Sequence, residues 1–168
     1  YGNLTAGMFA RRMGLPIKDF VAASNANDVV PEFLQSEEYR PRASVQTVAN
    51  AMDVGDPSNF ERMMSLVGGD VQALKAELRG FSCSDQQIEQ AIAEIYKKYG
   101  YLSDPHSAVG YLAAKHYDVD GFYLSTAHAA KFGEVTLRAA GAEPELPQSL
   151  AEAVGKPRVA TPIEAKEA

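Results

Sequence analysis

The stretch IKDFVAASNAND, residues 17–28, decides the fold. Its first part, Ile17–Ser24, is short, apolar and rich in β-favouring residues, which predicts a buried strand. The chain then turns polar, and Asn27 or Asp28 stands where the N-cap of a following helix belongs. That helix would carry Val29, Val30, Phe33 and Leu34 toward a core. A buried strand passing through a polar turn into an amphipathic helix is the repeating unit of a layered α/β protein.

Working outward, the same unit recurs. DGFYLSTAH (Asp120–His128) reads as a second buried strand, and AAKFGEVTLRAAG as the helix after it, closed by Gly141. RGFSC (Arg79–Cys83) reads as a brief strand. Ahead of the first unit, LTAGMFARRMG is helical from Leu4, with Leu4, Met8 and Phe9 on one face and Gly14 and Pro16 as stop signals. Phe60, Met63, Met64 and Val67 recur at helical spacing up to Gly68-Gly69, and a short helix passes through Leu74 and Leu78. In SDQQIEQAIAEIYKKYG, Ser84 and Gln87 form a capping box, and Ile88, Ala91, Ile92, Ile95, Tyr96 and Tyr99 make one apolar stripe. Asp104 as N-cap and Pro105 at the first helical position open another helix. A last one lies in PQSLAEAVG. The fold class expected is α/β: three layers, a mostly parallel sheet with flanking helices.

A chain of 168 residues is long enough for one domain with its own core. A net charge of −6 without a basic stripe argues against a nucleic-acid surface. One cysteine, Cys83, excludes an internal disulfide framework and suits a reducing compartment. No apolar run reaches membrane-spanning length. The expectation is a cytoplasmic protein with neither nucleic-acid nor membrane partner, and the start at Tyr1 suggests a fragment. His106, His116 and His128 have no Cys or carboxylate at metal-ligand spacing, so no metal is assigned.

Ligands of open α/β sheets bind outside the carboxyl ends of strands. SNAND (Ser24–Asp28) and STAH (Ser125–His128) are polar clusters at such ends. Gly2-Asn3 adds a turn into a helix, whose free N–H groups favour an anion. Together they argue for a phosphate-bearing ligand. Each has a plainer reading: Asn3 as an ordinary N-cap, Ser125 or Thr126 as helix caps, and the Asn and Asp residues of SNAND and MDVGDPSN as loop chemistry. Ser125 and His128 cannot easily pair as nucleophile and base, because strand neighbours point to opposite faces. No lysine sits in an apolar strand or Gly-rich turn. Lys131 comes closest, in a helical, surface setting.

These segments, YGNLTAGMFARRMGLPIKDFVAASNANDVVPEFL, ASVQTVANAMDVGDPSNFER, DPHSAVGYLA and STAHAAKF, resemble the threonine synthases, in particular the longer bacterial and yeast-type members. That resemblance implies a pyridoxal 5′-phosphate (PLP) lyase of fold type II that converts O-phospho-L-homoserine and water to L-threonine and phosphate in threonine biosynthesis. It further implies that residues 1–168 form the C-terminal part of the PLP-binding large domain, with a mainly helical insertion around 36–80 and a loosely ordered tail at 156–168. The family's phosphate turn, S-G-N-F-G-N/D-L-T-A-G, falls in its second half on Gly2, Asn3 and Leu4, and the hydroxyl facing the pyridine nitrogen falls on Thr126. Substrate contacts are assigned to Asn25, Asn27, Asp28, Ser58, Asn59 and Arg62. The Schiff-base lysine of the family lies upstream, so no catalytic residue is expected here and the missing N-terminal half of the polypeptide is an expected partner. Open alternatives are another fold type II enzyme, such as a serine/threonine dehydratase, or a non-catalytic α/β module binding an anion or nucleotide.

Overall fold

The computed structural model describes residues 1–118, 120–157 and 159–161. In chain order the elements are α1 (Gly2–Arg12), β1 (Phe20–Ser24), α2 (Val29–Ser36), a 3-10 turn at Asn50–Met52, α3 (Asn59–Leu66), α4 (Val71–Glu77), β2 (Leu78–Ser82), α5 (Asp85–Tyr99), α6 (Pro105–Tyr117), a second 3-10 turn at Ala129–Phe132, α7 (Gly133–Ala140) and α8 (Gln148–Val154). β1 and β2 pair in parallel, with Phe20 opposite Leu78 and Ser24 opposite Ser82.

Alternation along the two strands sorts the core into two layers. Phe20, Ala22 and Leu78 join Val30, Phe33, Met63 and Leu74 on one face. Ala23 and Phe81 lie against the opposite layer, built on Ile88, Ile92, Ile95 and Val109. The expected arrangement of helices on both faces of a parallel pair is therefore present, around a sheet of two strands among the described residues.

Local chemistry ends the helices where the sequence indicates. Ser84 and Gln87 form the reciprocal capping box of α5. The Asp104 carboxylate accepts from the backbone of His106 and Ser107, with Pro105 opening α6. Gly100 and Gly141 close α5 and α7 in the left-handed conformation.

Five expectations need correction. The helix through Leu74 stops at Glu77, and Leu78 opens β2. The first strand begins at Phe20, not Ile17, because its partner begins at Leu78, straight out of α4, and offers nothing earlier to pair with. Phe9 is exposed, since it lies about 100° around the helix from the buried Met8. Tyr96 and Tyr99 are also exposed, in the last turns of α5, with Lys98 Nζ 4.9 Å from the Tyr99 ring centroid. Residues 120–128 form no strand: a strand needs a hydrogen-bonded neighbour, none of the described residues provides one, and Phe122 is 79% exposed. In the segment expected to be a loose tail, 156–157 and 159–161 are exposed and outside any helix or strand, and residues 158 and 162–168 lie outside the described residues.

Gly55 is required by a backbone crossing. A Cβ there would sit 1.7 Å from the Arg42 carbonyl oxygen, while the Arg42 N–H donates to the Gly55 carbonyl at 3.0 Å. Gly55→Ala is expected to destabilise the chain by about 3 kcal/mol, at the upper end of overpacking costs, lowering the denaturant midpoint. Gly133→Ala, with nothing within 4 Å of the added Cβ, serves as the neutral control.

Candidate functional site

The polar turn after β1 is closed by one carboxylate. Asp53 Oδ1 accepts from Asn25 Nδ2 at 2.8 Å, Asn27 Nδ2 at 3.0 Å and Thr47 Oγ1 at 2.7 Å, and its Oδ2 accepts from the Thr47 N–H at 3.0 Å. Asn25 Nδ2 also donates to Thr47 Oγ1 at 2.7 Å, and its Oδ1 accepts from the Asn27 N–H at 2.9 Å. Asn27 exchanges two further bonds with the Val45 backbone, its Nδ2 donating at 2.9 Å and its Oδ1 accepting at 2.8 Å. Both asparagines are buried. Burying such amides is tolerable only when they are bonded. Here they bind the 45–53 loop to the carboxyl end of β1. Asp28 makes no capping bond to α2 and instead pairs with Arg42 at 2.5 Å.

A second cluster gathers at the start of α1. That helix has no acidic residue in its first turn and no side-chain cap, so its leading N–H groups have no side-chain acceptor. Gly2 stands beside the start of α3, where a Cβ would meet Asn59 Nδ2 at 3.9 Å. Arg62 Nη1 donates to the Ser58 carbonyl at 3.2 Å and to Asn59 Oδ1 at 3.5 Å. Gly2, Ser58, Asn59 and Arg62 are thus neighbours through two helix starts. The Tyr1 phenol lies near Ser24 and Asp28 without a hydrogen bond meeting either; burial first, then Asp28, push it up to about 12 against a lowering by Ser24.

A third cluster sits at the start of α6. The buried Asp104 accepts from the His106 N–H at 2.9 Å, the Ser107 N–H at 3.2 Å, His106 Nδ1 at 3.1 Å and the Ser107 hydroxyl. His106 Nε2 accepts from the Ala51 N–H at 3.0 Å, which leaves the ring proton on Nδ1, facing Asp104. Ser107 and Ser125 Oγ atoms are 2.9 Å apart. A carboxylate cannot donate, so the Ser107 proton goes to Asp104 and Ser125 donates to Ser107. Thr126 is exposed beside them. Neither Ser125 nor Thr126 caps the next turn; His128 does, its Nδ1 accepting from the Ala130 N–H at 3.1 Å.

A hollow of about 300 Å³ lies between the carboxyl ends of β1 and β2, bordered by Ala26, Asp28, Ser82, Cys83, Ser84 and Gln87. Cys83 is buried and its thiol is pushed up to about 12 by burial, with Asp85 adding to the rise, so it is no nucleophile at neutral pH. A second hollow, of about 260 Å³, follows Thr126, between Tyr101, Leu102, His128 and Pro144. Among the described residues there is no cluster of three or more His, Cys, Asp or Glu able to hold a metal ion, and no helix is long and apolar enough to cross a membrane.

Reading the sequence alone singles out Gly2, Asn59 and Arg62, which the fold brings together, and Asn25, Asn27 and Asp28, which it engages in bonds to the 42–53 segment. It misses Thr47, Asp53, Ser107 and His106. Asp53 and Thr47 fall in a turn-rich stretch where such residues are ordinary, and only their meeting with Asn25 across 28 and 22 residues marks them.

The parallel pair with helices on both faces and polar turns at the strand ends defines an α/β protein. Residues 107–168 match the family described as threonine synthase, C-terminal. The chain is 43% identical over 154 residues to threonine synthase of Serratia marcescens, covering 90% of this chain and 35% of that protein. To the Escherichia coli enzyme it is 41% identical over 160 residues, covering 94% and 37%. The E. coli crystal structure superposes with a TM-score of 0.85 over 94% of this chain and 37% of that one. A PLP-bound threonine synthase from Brucella melitensis gives 0.80 at 32% identity, over 90% and 38%. The chain belongs to the threonine synthase family. It spans 35–37% of the length of the first two of these relatives.

Burial raises the Asp104 carboxyl, but the side-chain bonds from His106 and Ser107 and the two backbone bonds outweigh it and hold it below the ordinary 3.8. A folded-state pKa below the unfolded one gives stability that is complete above the unfolded value and is lost as pH falls through the folded one. Denaturant midpoints measured from pH 6 downward are expected to fall below about pH 4, and Asp104→Asn to flatten that decline. An identical decline in the variant contradicts the assignment.

Proposed function

We propose that this chain is the C-terminal part of a threonine synthase that, with PLP, converts O-phospho-L-homoserine and water to L-threonine and phosphate. The observation that carries the reading is the start of α1: an open Gly2 in the family's phosphate turn, without acidic neighbour or cap, next to the Asn59 amide. That is the chemistry a phosphate monoester needs. In this reading the N–H groups of Gly2, Asn3 and Leu4 hold the cofactor's phosphate, and the Thr126 hydroxyl donates to its ring nitrogen. A neutral hydroxyl, unlike a carboxylate, does not hold that nitrogen protonated. When bound, PLP supplies the electron sink for carbanions of the amino-acid substrate.

Ser58, Asn59 and Arg62 flank Gly2 and offer an amide and a guanidinium to the substrate. Asn25 and Asn27 act by holding the 45–53 loop, and Asp28 by its pair with Arg42. The lysine that carries the cofactor is supplied by an upstream part of a longer polypeptide, in the cytoplasm. That upstream part also supplies what residues 120–128 lack, a strand to pair with. The region around 36–80 is read as a mainly helical insertion between the two strands.

The full-length gene product with PLP is expected to release threonine and phosphate from O-phospho-L-homoserine, and the 168-residue chain alone to release neither. Threonine formation by the chain alone contradicts the upstream lysine. Deamination of serine by the full-length protein, with phosphohomoserine untouched, favours a dehydratase and overturns the proposed reaction.

A further inference from the structure

His106 is buried, and both of its ring nitrogens are engaged. Nδ1 lies 3.1 Å from Asp104 Oδ1, and Nε2 accepts from the Ala51 N–H at 3.0 Å. The Phe132 ring lies against it, with centroids 4.9 Å apart. The imidazole thus bridges the start of α6 and the 3-10 turn at Asn50–Met52. A carboxylate needs a donor and a backbone N–H needs an acceptor. Only the neutral ring, with its proton on Nδ1, satisfies both. A second proton would go on Nε2 and set one donor against another. The two neighbours lead in different directions: the turn runs on to Ser58 and Asn59 at the start of α3, and Asp104 reaches Ser125, beside Thr126, through Ser107.

We propose that His106 is a positioning residue that ties these two sides together only while its ring is neutral, so that acidification loosens the substrate side of the site; that last clause rests on the reading of Ser58, Asn59 and Arg62 given above. The charged groups of the elements around the ring are of two kinds. Asp104 on its own helix, Asp53 in the loop and Asp85 at the start of α5, which accepts from the Val48 N–H at 3.2 Å, are carboxylates. His128 and Lys131, in the segment that carries Phe132, are exposed. The carboxylate of Asp104 keeps a protonated ring where it stands. What is lost is therefore the bond to Ala51, and the turn gives up its tie to α6. The turn's own backbone bonds, Met52 N–H to Ala49 at 2.9 Å and Asp53 N–H to Asn50 at 3.1 Å, report on that release.

The test uses the full-length protein with PLP. Hydrogen–deuterium exchange, corrected for the pH dependence of intrinsic exchange, is measured at about pH 8 and about pH 5.5, a window in which histidine changes charge. Protection of the 51–53 amides is expected to fall about tenfold relative to Ile88–Ile95 as pH is lowered. In His106→Gln, whose Oε1 accepts from Ala51 without titrating, the fall is expected to stay within about threefold. His106→Ala, if it folds, is expected to show low protection at both pH values. KM for O-phospho-L-homoserine is expected to rise more steeply on acidification in the natural protein than in His106→Gln. Protection of 51–53 that is independent of pH, or that falls equally in His106→Gln, overturns the role of His106. Protection that falls as expected while KM changes alike in both proteins overturns the reading of Ser58, Asn59 and Arg62 as substrate contacts and leaves the tie to Ala51 standing.

Discussion

One carboxylate oxygen, Asp53 Oδ1, takes three hydrogen bonds from side chains remote in sequence: Asn25, Asn27 and Thr47. Removing a shared acceptor of this kind leaves several buried donors unpaired at once, each costing about 1–3 kcal/mol. The consequence reaches beyond the network. The loop it pins carries Ala51, whose N–H holds His106, and leads into Ser58 and Asn59 at the start of α3. Both clusters read as parts of the cofactor and substrate site are therefore connected to the end of β1 through the same loop.

From Ala51 one line of bonds runs through His106, Asp104 and Ser107 to Ser125, next to Thr126. The other way, α3 brings Asn59 and Arg62 beside Gly2. Leu4, Phe60 and Val109 anchor the helix starts in the two apolar layers. Polar bonds give them position, and two apolar layers on either side of β1 and β2 give the rigid base from which those bonds are measured. Directional bonds define geometry where packing alone would leave several arrangements close in energy.

Much of this was legible because it is local. A capping box lies within four residues, so Ser84 and Gln87 mark the start of α5 in the sequence as they do in the structure. Asp104-Pro105 and the glycines after α5 and α7 are legible for the same reason. The α/β class followed from the strand at Phe20–Ser24 and its polar turn. Strand pairing is not local, and that explains the failure at 120–128: DGFYLSTAH has a strand's composition, but without a neighbour among the described residues it forms no strand and packs on α6 through Tyr123 and Ser125. Asp53 and Thr47 were illegible as partners of Asn25, because a buried network is defined by a meeting of distant residues. The same holds for Ser107, which reads as an ordinary helical serine until Ser125 is placed against it.

The most direct test of the connection between the loop and the site is hydrogen–deuterium exchange on Asp53→Ala. Loss of protection is expected over residues 45–53, at the start of α3 and at the start of α6, with Ile88–Ile95 in α5 unchanged. Protection unaltered outside 45–53 would contradict the claim that this carboxylate holds both parts of the site in place.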